Sequence, residues 1–395
     1  MNDIWIALIL GLVALIVTAL VFPPVLRFAK KRNLVDNPNY RKLQRVPVPV
    51  IGGTAVFIGF AVALGIAIMV FHMRFMGVGL TATGLMWLLG TWDDLKDIPA
   101  NLRFLIEVLV LWGLIAFGQT SIDDFHGLWG VEGVSPYVSI PISILTGVGL
   151  LNAINMIDGM DGYCSGFGIV SSILFSVAFF AAGDIPTASF ALIIAGALFP
   201  FFPHNVFGKR TKMFIGDGGS LMIGMLMTLF VYRVMASGSP CDRFYHEQGM
   251  GLAAFTLAVL CIPVADTLRV MSARILKGAS PFSPDKTHLH HLFIEMGFTH
   301  VATSLSILLM DLVIVAVWFL SWKLGASVDM QLYVVIAMGL LVCFAFYFFM
   351  EAQRAKNDGQ GTELWCRCCR LGQRTRRGGA RFRVRMRRLV DGPGR

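Results

Sequence analysis

Apolar runs of about 17 to 22 residues recur along this 395-residue chain, and no other feature restricts its fold so tightly. A helix of that length crosses the hydrocarbon of a bilayer, where backbone N–H and C=O groups must pair within one helix or within a closed barrel. Barrel strands alternate apolar and polar residues over roughly ten positions, whereas 4–21 and 305–320 are long apolar runs that do not alternate. Composition agrees, with 56% hydrophobic and 14% charged residues and a mean hydropathy of +0.71. The expected fold class is an all-α polytopic membrane protein. Its eleven expected transmembrane helices lie near 4–22, 50–70, 77–92, 101–118, 136–153, 164–182, 187–203, 218–235, 250–268, 302–321 and 331–350. The first run follows an acidic start and ends in Phe22-Pro23-Pro24, so it reads as a span and not as a cleavable signal.

Eleven spans put successive connections on alternating sides of the membrane, and the two sides differ in charge. One holds Arg27, Lys30, Lys31, Arg32, Arg41, Lys42 and Arg45 in its first loop and sixteen Lys/Arg in all; the other holds Arg74, Arg233, Arg243 and Lys323. Short loops rich in Lys and Arg stay in the cytoplasm. The amino terminus is therefore expected outside, the carboxyl terminus inside, and the protein in the bacterial inner (cytoplasmic) membrane as a multi-pass protein.

Two regions follow from charge: residues 1–350 as the integral membrane domain, and 351–395 as a basic cytoplasmic extension. The extension carries thirteen Lys/Arg and four Asp/Glu, a surplus of +9 that equals the net charge of the whole chain. The membrane domain is thus balanced, and its charge points to no nucleic-acid partner. Rich in Gly and Arg and poor in aliphatics, the extension is expected to be disordered and to rest on anionic lipid. Cys366, Cys368 and Cys369 in it lack a second ligand pair at zinc-finger spacing.

Against this apolar background, charged and polar residues gather in five clusters, and all five fall on the expected cytoplasmic face. Ionisable residues are rarely kept beside membrane spans without a task. Asp93, Asp94 and Asp97 close the third span; adjacent carboxylates repel, and a divalent cation relieves them. A solvated helix end is the bland alternative. Asn155, Asp158 and Asp161 leave the fifth span at spacings of three, with Gly159 and Gly162 between and after them. That pattern suits either a helical continuation with one polar face or a broken loop lining a cavity. A calcium loop is excluded, because the longer ligand series ending in Glu is absent.

The stretch from Lys209 to Ser220 contains Asp217 among small residues and opens into the eighth span. Backbone N–H groups at a helix start favour anions, and Asp217 offers a carboxylate to a metal on the same phosphates. It is no Walker loop, because the Gly-Lys-Ser/Thr ending is missing. Asp266, Arg269, Arg274 and Lys277 precede the last cluster, Asp285-Lys286-Thr287-His288-Leu289-His290-His291. Three histidines invite zinc, yet no recognised ligand spacing accompanies them; hydrogen bonds to diphosphate oxygens suit them better.

In this order the motifs resemble the polyprenyl-phosphate N-acetylhexosamine-1-phosphate transferases, of the glycosyltransferase family 4 type. The matching elements are Asp36-Asn-Pro-Asn with Pro49-Val-Ile-Gly52-Gly53, Trp92-Asp93-Asp94-Leu-Lys-Asp97, Asn152-Ala-Ile-Asn155-Met-Ile-Asp158-Gly-Met-Asp161-Gly, Phe214-Ile-Gly-Asp217-Gly-Gly-Ser220, and Pro281 through His291. They span roughly residues 1–350, and five in order on this topology are far more specific than any one. The Ser-Pro-Asp-Lys-Thr-His-Leu-His-His form is similar to the bacterial WecA-like branch, which moves GlcNAc-1-phosphate.

The resemblance implies transfer of GlcNAc-1-phosphate from UDP-GlcNAc to undecaprenyl phosphate, giving undecaprenyl-diphosphate-GlcNAc and UMP, as a first lipid-linked step of cell-surface polysaccharide synthesis. It implies Mg²⁺, with Mn²⁺ as the alternative ion, and a UDP-N-acetylhexosamine, undecaprenyl phosphate and the bilayer as partners; a homo-oligomer is compatible. Asp93, Asp94, Asp158 and Asp161 are then expected as catalytic residues, and Asp217 and Asn155 as metal ligands. Lys42, Asn155, Arg274, His288, His290 and His291 would bind substrate, with Asp36, Asp97 and Asp285 in support. Alternatives are the same transfer from UDP-MurNAc-pentapeptide or another UDP-N-acetylhexosamine, and a secondary transporter. Two features depart from the pattern: Gln44 stands where the family often has His, and the extension after residue 350 matches nothing in it.

Overall fold

A computed structural model of the chain describes residues 2–36, 46–280, 287–355 and 363–392. Its elements, in chain order, are helix α1 (Asn2–Lys31), strands β1 (Val35–Asp36) and β2 (Val48–Pro49), then α2 (Gly52–Phe71), α3 (Arg74–Leu95) and α4 (Ala100–Gly118). A second hairpin, β3 (Asp124–Leu128) and β4 (Val131–Gly133), precedes α5 (Pro136–Met156), α6 (Tyr163–Ala182), α7 (Ile185–Phe207) and α8 (Gly216–Met235). There follow α9 (Asp242–Gln248), α10 (Leu252–Val259), α11 (Cys261–Leu276), α12 (Leu289–Glu295), α13 (His300–Lys323), α14 (Val328–Leu340), α15 (Phe346–Ala355) and α16 (Glu363–Asp391). Both hairpins are antiparallel two-stranded pairs. The chain is an all-α polytopic membrane protein, as its apolar runs require.

Helix α8 lies at the centre. All of its residues are buried except Asp217 at one end and Arg233 at the other. Lipid tails are as apolar as the helices themselves, so close packing and hydrogen bonds, not a hydrophobic gradient, draw spans together. Small residues make that approach possible: a Cβ on Gly90 of α3 would collide with the carbonyl of Asp217 on α8. At the opposite end, the Arg233 side chain donates to Asp184 at 2.8 Å.

Among the described residues ten helical spans are long and apolar enough to cross a membrane, one of them running from α14 through a π-helical turn at Leu341–Ala345 into α15, and α10 with α11 forms a further pair bent by 76°. That pair makes an eleventh passage. Just before α10, the Gly251 N–H donates to Gln331 at 2.9 Å, near the start of α14. That start lies at the far end, where Trp129 of the second hairpin donates to Asp329 at 2.7 Å. Beyond α11, His300 at the start of α13 stands 3.3 Å from Asp161, at the near end. The chain has therefore crossed between the two. At the break, Asp311 of α13 accepts from the Ile262 N–H at 3.2 Å, satisfying an amide that the interrupted helix leaves without its usual acceptor.

Two boundaries differ from the sequence reading. The first span does not stop at Pro23-Pro24 but continues as α1 to Lys31, because neighbouring helices and local adjustment tolerate a Pro that would break a helix in water. The extension expected to be disordered contains α16. Its apolar residues recur at helical spacing between arginines, which are good helix formers. Helix α16 packs against the end of α7, with the Phe207 and Phe382 rings 5.8 Å apart.

Gly90→Val is expected to keep α3 and α8 apart and to destroy the monodisperse, cooperatively melting protein in detergent. Gly65→Ala, where an added Cβ meets nothing within 4 Å, should leave the thermal midpoint unchanged. Size-exclusion profiles and thermal unfolding of the purified variants check both.

Candidate active site

The near end of the bundle is organised by a carboxylate on a helix start. Asp94, in the last turn of α3, accepts from the N–H groups of Asp217 at 3.0 Å and Gly218 at 3.1 Å, the first turn of α8. Such amides lack intrahelical acceptors and carry the positive end of the helix dipole, so a carboxylate fits there on both counts. Asn155, in the last turn of α5, donates its amide to Asp217 Oδ1 and Ser220 Oγ, both at 2.9 Å. Arg103 of α4 bonds Asp93 at 3.1 Å and Glu107 at 3.1 Å, and lies 3.7 Å from Asp217. Glu107 also accepts from Asn152 at 3.1 Å. Three sequence clusters thus meet around Asp217.

The Asn155–Asp161 motif is not a helical continuation but the broken loop lining a cavity. α5 ends at Met156, turns occupy residues 157–162, and α6 starts at Tyr163. Asn205 of α7 holds this turn, accepting from Gly162 N–H at 2.6 Å and donating to the Met213 carbonyl at 2.9 Å. Asp161 is paired with Lys212 at 2.6 Å and faces His300 at 3.3 Å. Burial opposes its ionisation, but the His300 ring and the Lys212 charge outweigh that and hold the carboxyl below its usual range. Asp158 is the opposite case. Burial, then the charges of Asp217, Asp94 and Asp161, push its carboxyl well above the usual range.

These groups line a cavity of about 760 Å³ with Asp36, Asp93, Asp94, Asp97, Asp158, Asp161 and Asp217 in its wall, beside Lys212, His291 and His300. A second cavity, of about 880 Å³, opens between α2, α3 and α4 at their far ends. Its lining has no carboxylate, and His72 and Arg74 are its only charged or titratable residues. The polar cavity is the candidate site.

The three histidines have separate environments. Nδ1 of His288 is 2.9 Å from Asp266, which also accepts from Arg269 Nη2 at 2.6 Å and from the Leu289 N–H at 3.1 Å. Arg269 is itself buried, donates to the Thr287 carbonyl at 2.6 Å, and lies over the Tyr347 ring. His290 is buried against the turn, where a Cβ on Gly159 would come within 2.7 Å of its Nε2. Burial, then the neighbouring His291 and His288, push its pKa well below the ordinary value, so it is neutral. Of the three, His291 lines the cavity.

Arg274, buried in the last turn of α11, is not part of the cavity wall among the described residues. Lys42 and Asp285 lie outside the described residues. Residues that sequence reasoning did not assign to the site are Arg103, Glu107, Asn205, Lys212 and His300. Lys212 already stood inside a cluster, and His300 opens a span. Asn205 and Glu107 carry no signal for the site, since the contacts that tie them to it, Asn205 with Gly162 and Glu107 with Asn152, join distant parts of the chain.

Among the described residues, no group of three or more His, Cys, Asp or Glu is arranged to hold a metal ion by itself. Mg²⁺ takes one or two carboxylates and completes its shell with water and substrate phosphate, a donor set that Asp217 and Asp158 on the cavity wall fit. The wall sets seven carboxylates against Lys212, His291 and His300, and burial, then the neighbouring charges, raise the Asp158 carboxyl.

A polytopic helical protein with an acidic, oxygen-lined cavity at one end of its bundle is the class that these features define. The chain belongs to glycosyl transferase family 4, whose profile matches residues 75–235. It is 31% identical over 281 residues to the undecaprenyl-phosphate alpha-N-acetylglucosaminyl 1-phosphate transferase of Yersinia pestis, covering 69% of this chain and 73% of that protein. The protein of that name from Escherichia coli (strain K12) is 29% identical over 279 residues, covering 69% and 72%. The decaprenyl-phosphate N-acetylglucosaminephosphotransferase of Mycolicibacterium smegmatis is 30% identical over 313 residues, covering 74% and 76%.

Asp266→Asn would leave buried Arg269 without its counter-charge, a change that costs about 3–5 kcal/mol. The thermal midpoint of the purified protein should fall accordingly, whereas His291→Ala, at the cavity wall, should leave it within a few degrees of wild type. Thermal unfolding of both variants in one detergent provides the check.

Proposed function

We propose that this protein transfers GlcNAc-1-phosphate from UDP-GlcNAc to undecaprenyl phosphate and releases UMP, at the cytosolic face of the bacterial cytoplasmic membrane. The observation that carries the reading is the convergence of Asp217, Asp158 and Asp161 on one cavity at a membrane-facing bundle end. Relatives named for that transfer support it over most of the chain's length. The cavity has polar walls for a nucleotide sugar, and its place beside the spans lets a lipid phosphate reach it from the bilayer.

Asp217 is the first choice as metal ligand. Its carboxylate is held by Asn155 and faced by Arg103, so it reaches the cavity in a fixed orientation, and Asp158 is the natural second oxygen donor. Bound there, Mg²⁺ would offset diphosphate charge and make the sugar-linked phosphorus more electrophilic. An oxygen of the lipid phosphate attacks that phosphorus in line, forming the new P–O bond. The bond to the bridging oxygen breaks, and UMP leaves with the electron pair. The second ionisation of a phosphate monoester lies near neutrality, so no strong base is needed. Asp94 serves by fixing the start of α8, and Asp93 by fixing Arg103. Lys212, His291 and His300 can donate to the diphosphate and the leaving phosphate as charge develops.

Purified protein with labelled UDP-GlcNAc, undecaprenyl phosphate and Mg²⁺ should form labelled lipid and UMP in equal amounts. Asp217→Asn should lower the rate by about 10²–10³-fold, and a chelator should abolish it until Mg²⁺ is restored. Mg²⁺ should also raise the thermal midpoint of wild type but not of Asp217→Asn. Undiminished labelled lipid from the variant and from the chelated enzyme would defeat the metal assignment. Faster transfer from UDP-MurNAc-pentapeptide would defeat the sugar assignment.

A further inference from the structure

The distribution of exposed residues on α16 points to a surface that the protein alone does not cover. Within Glu363–Asp391 the sequence holds ten arginines and two acidic residues. Leu371, Phe382 and Leu389 are 55%, 57% and 71% exposed, and their spacings of 11 and 18 residues put them on a single stripe of the helix. The protein mainly covers a neighbouring stripe, where Gly372 is buried with the Met296 carbonyl 2.6 Å from where its Cβ would be, and meets the exposed stripe at Phe382, partly covered by Phe207. Arg374, Arg385 and Arg388, all exposed, flank the bare stripe.

Depth in the membrane is set by α7. Its span ends at Phe207, and Phe207 touches Phe382 of α16. The helix therefore lies at the level where a span leaves the hydrocarbon, which is where a basic amphipathic helix partitions, its apolar stripe down and its arginines among headgroups.

We infer that α16 is an interfacial helix that binds the anionic bilayer surface on the site side of the membrane, with Leu371, Phe382 and Leu389 inserted. The arginines select lipid charge, and the stripe supplies insertion. Its far end also binds a loop next to the candidate site. Asp391 accepts from the N–H groups of Lys209 at 3.0 Å, Arg210 at 3.1 Å and Thr211 at 3.1 Å, and from the Thr211 hydroxyl at 2.8 Å. Burial opposes ionisation, but these donors together outweigh it and hold the carboxyl below the usual range. A helix seated on lipid thus steadies the loop 208–215, which carries Lys212, the partner of Asp161.

The test uses the full-length protein in nanodiscs of phosphatidylcholine alone or with phosphatidylglycerol, and follows tryptic cleavage at the α16 arginines by mass spectrometry. Phosphatidylglycerol should slow cleavage by about tenfold or more, and high salt should weaken that protection. The variant L371E/F382E/L389E, with an unchanged thermal midpoint for the membrane body, should be cleaved quickly in both. Equal wild-type rates in the two lipids would overturn the inference, as would equal protection of the triple variant. Protection by single-stranded RNA in neutral nanodiscs, without any effect of lipid charge, would assign the arginines to nucleic acid and overturn it too.

Discussion

The contact between the Asp94 carboxylate and the first amides of α8 is the interaction on which the rest of the near end depends. It joins residues 94 and 217–218, far apart in the chain, and it does so at the only end of α8 where the helix dipole welcomes an anion. The small residues of α3 and α8 allow the approach, and the carboxylate gives it a defined register. Once the start of α8 is held, Asp217 has one direction left, toward the cavity, and Asn155 and Arg103 meet it from α5 and α4. Remove the tie, and four helices lose their common reference.

Gathering carboxylates at that point creates a charge problem, which the protein resolves unevenly. Asp93 and Asp161 have their cations, Arg103 and Lys212, and Asp94 has two amides. Among the described residues Asp158 has no such relief, and burial, then its like-charged neighbours, drive its pKa up. The uneven resolution is what separates a structural ion-pair network from a site. Fully paired carboxylates would hold helices together and do nothing more. A cavity wall rich in carboxylates, only part of them paired, is the electrostatic setting in which the proposed metal and phosphate-bearing substrate would bind.

Much of this was legible before any coordinates. Apolar length gave the all-α class and the eleven passages, since span length is a local property set by bilayer thickness. The shared face of the clusters followed from that count. Pro23 and Pro24 misled, because a proline's cost is decided by the surrounding helices and not by its own sequence. The three histidines were legible as a group but not as individuals: Asp266, Gly159 and the cavity, each brought in by a different element, give His288, His290 and His291 distinct surroundings. Asn205 and Glu107 were silent for the same reason. Helix α16 was masked by composition, its arginines and glycines resembling a disordered segment although its apolar residues keep helical spacing.

The central claim is that the cavity around Asp217 and Asp158 holds a divalent cation together with a nucleotide sugar. Anomalous diffraction from Mn²⁺, in crystals grown with the UDP-sugar, tests it most directly. The account predicts one strong peak at coordinating distance from Asp217, about 2.0–2.2 Å from its carboxylate oxygen as for a hard cation on oxygen, with diphosphate density on its open side. A peak away from Asp217 and Asp158, or a nucleotide bound in another cavity, would contradict it.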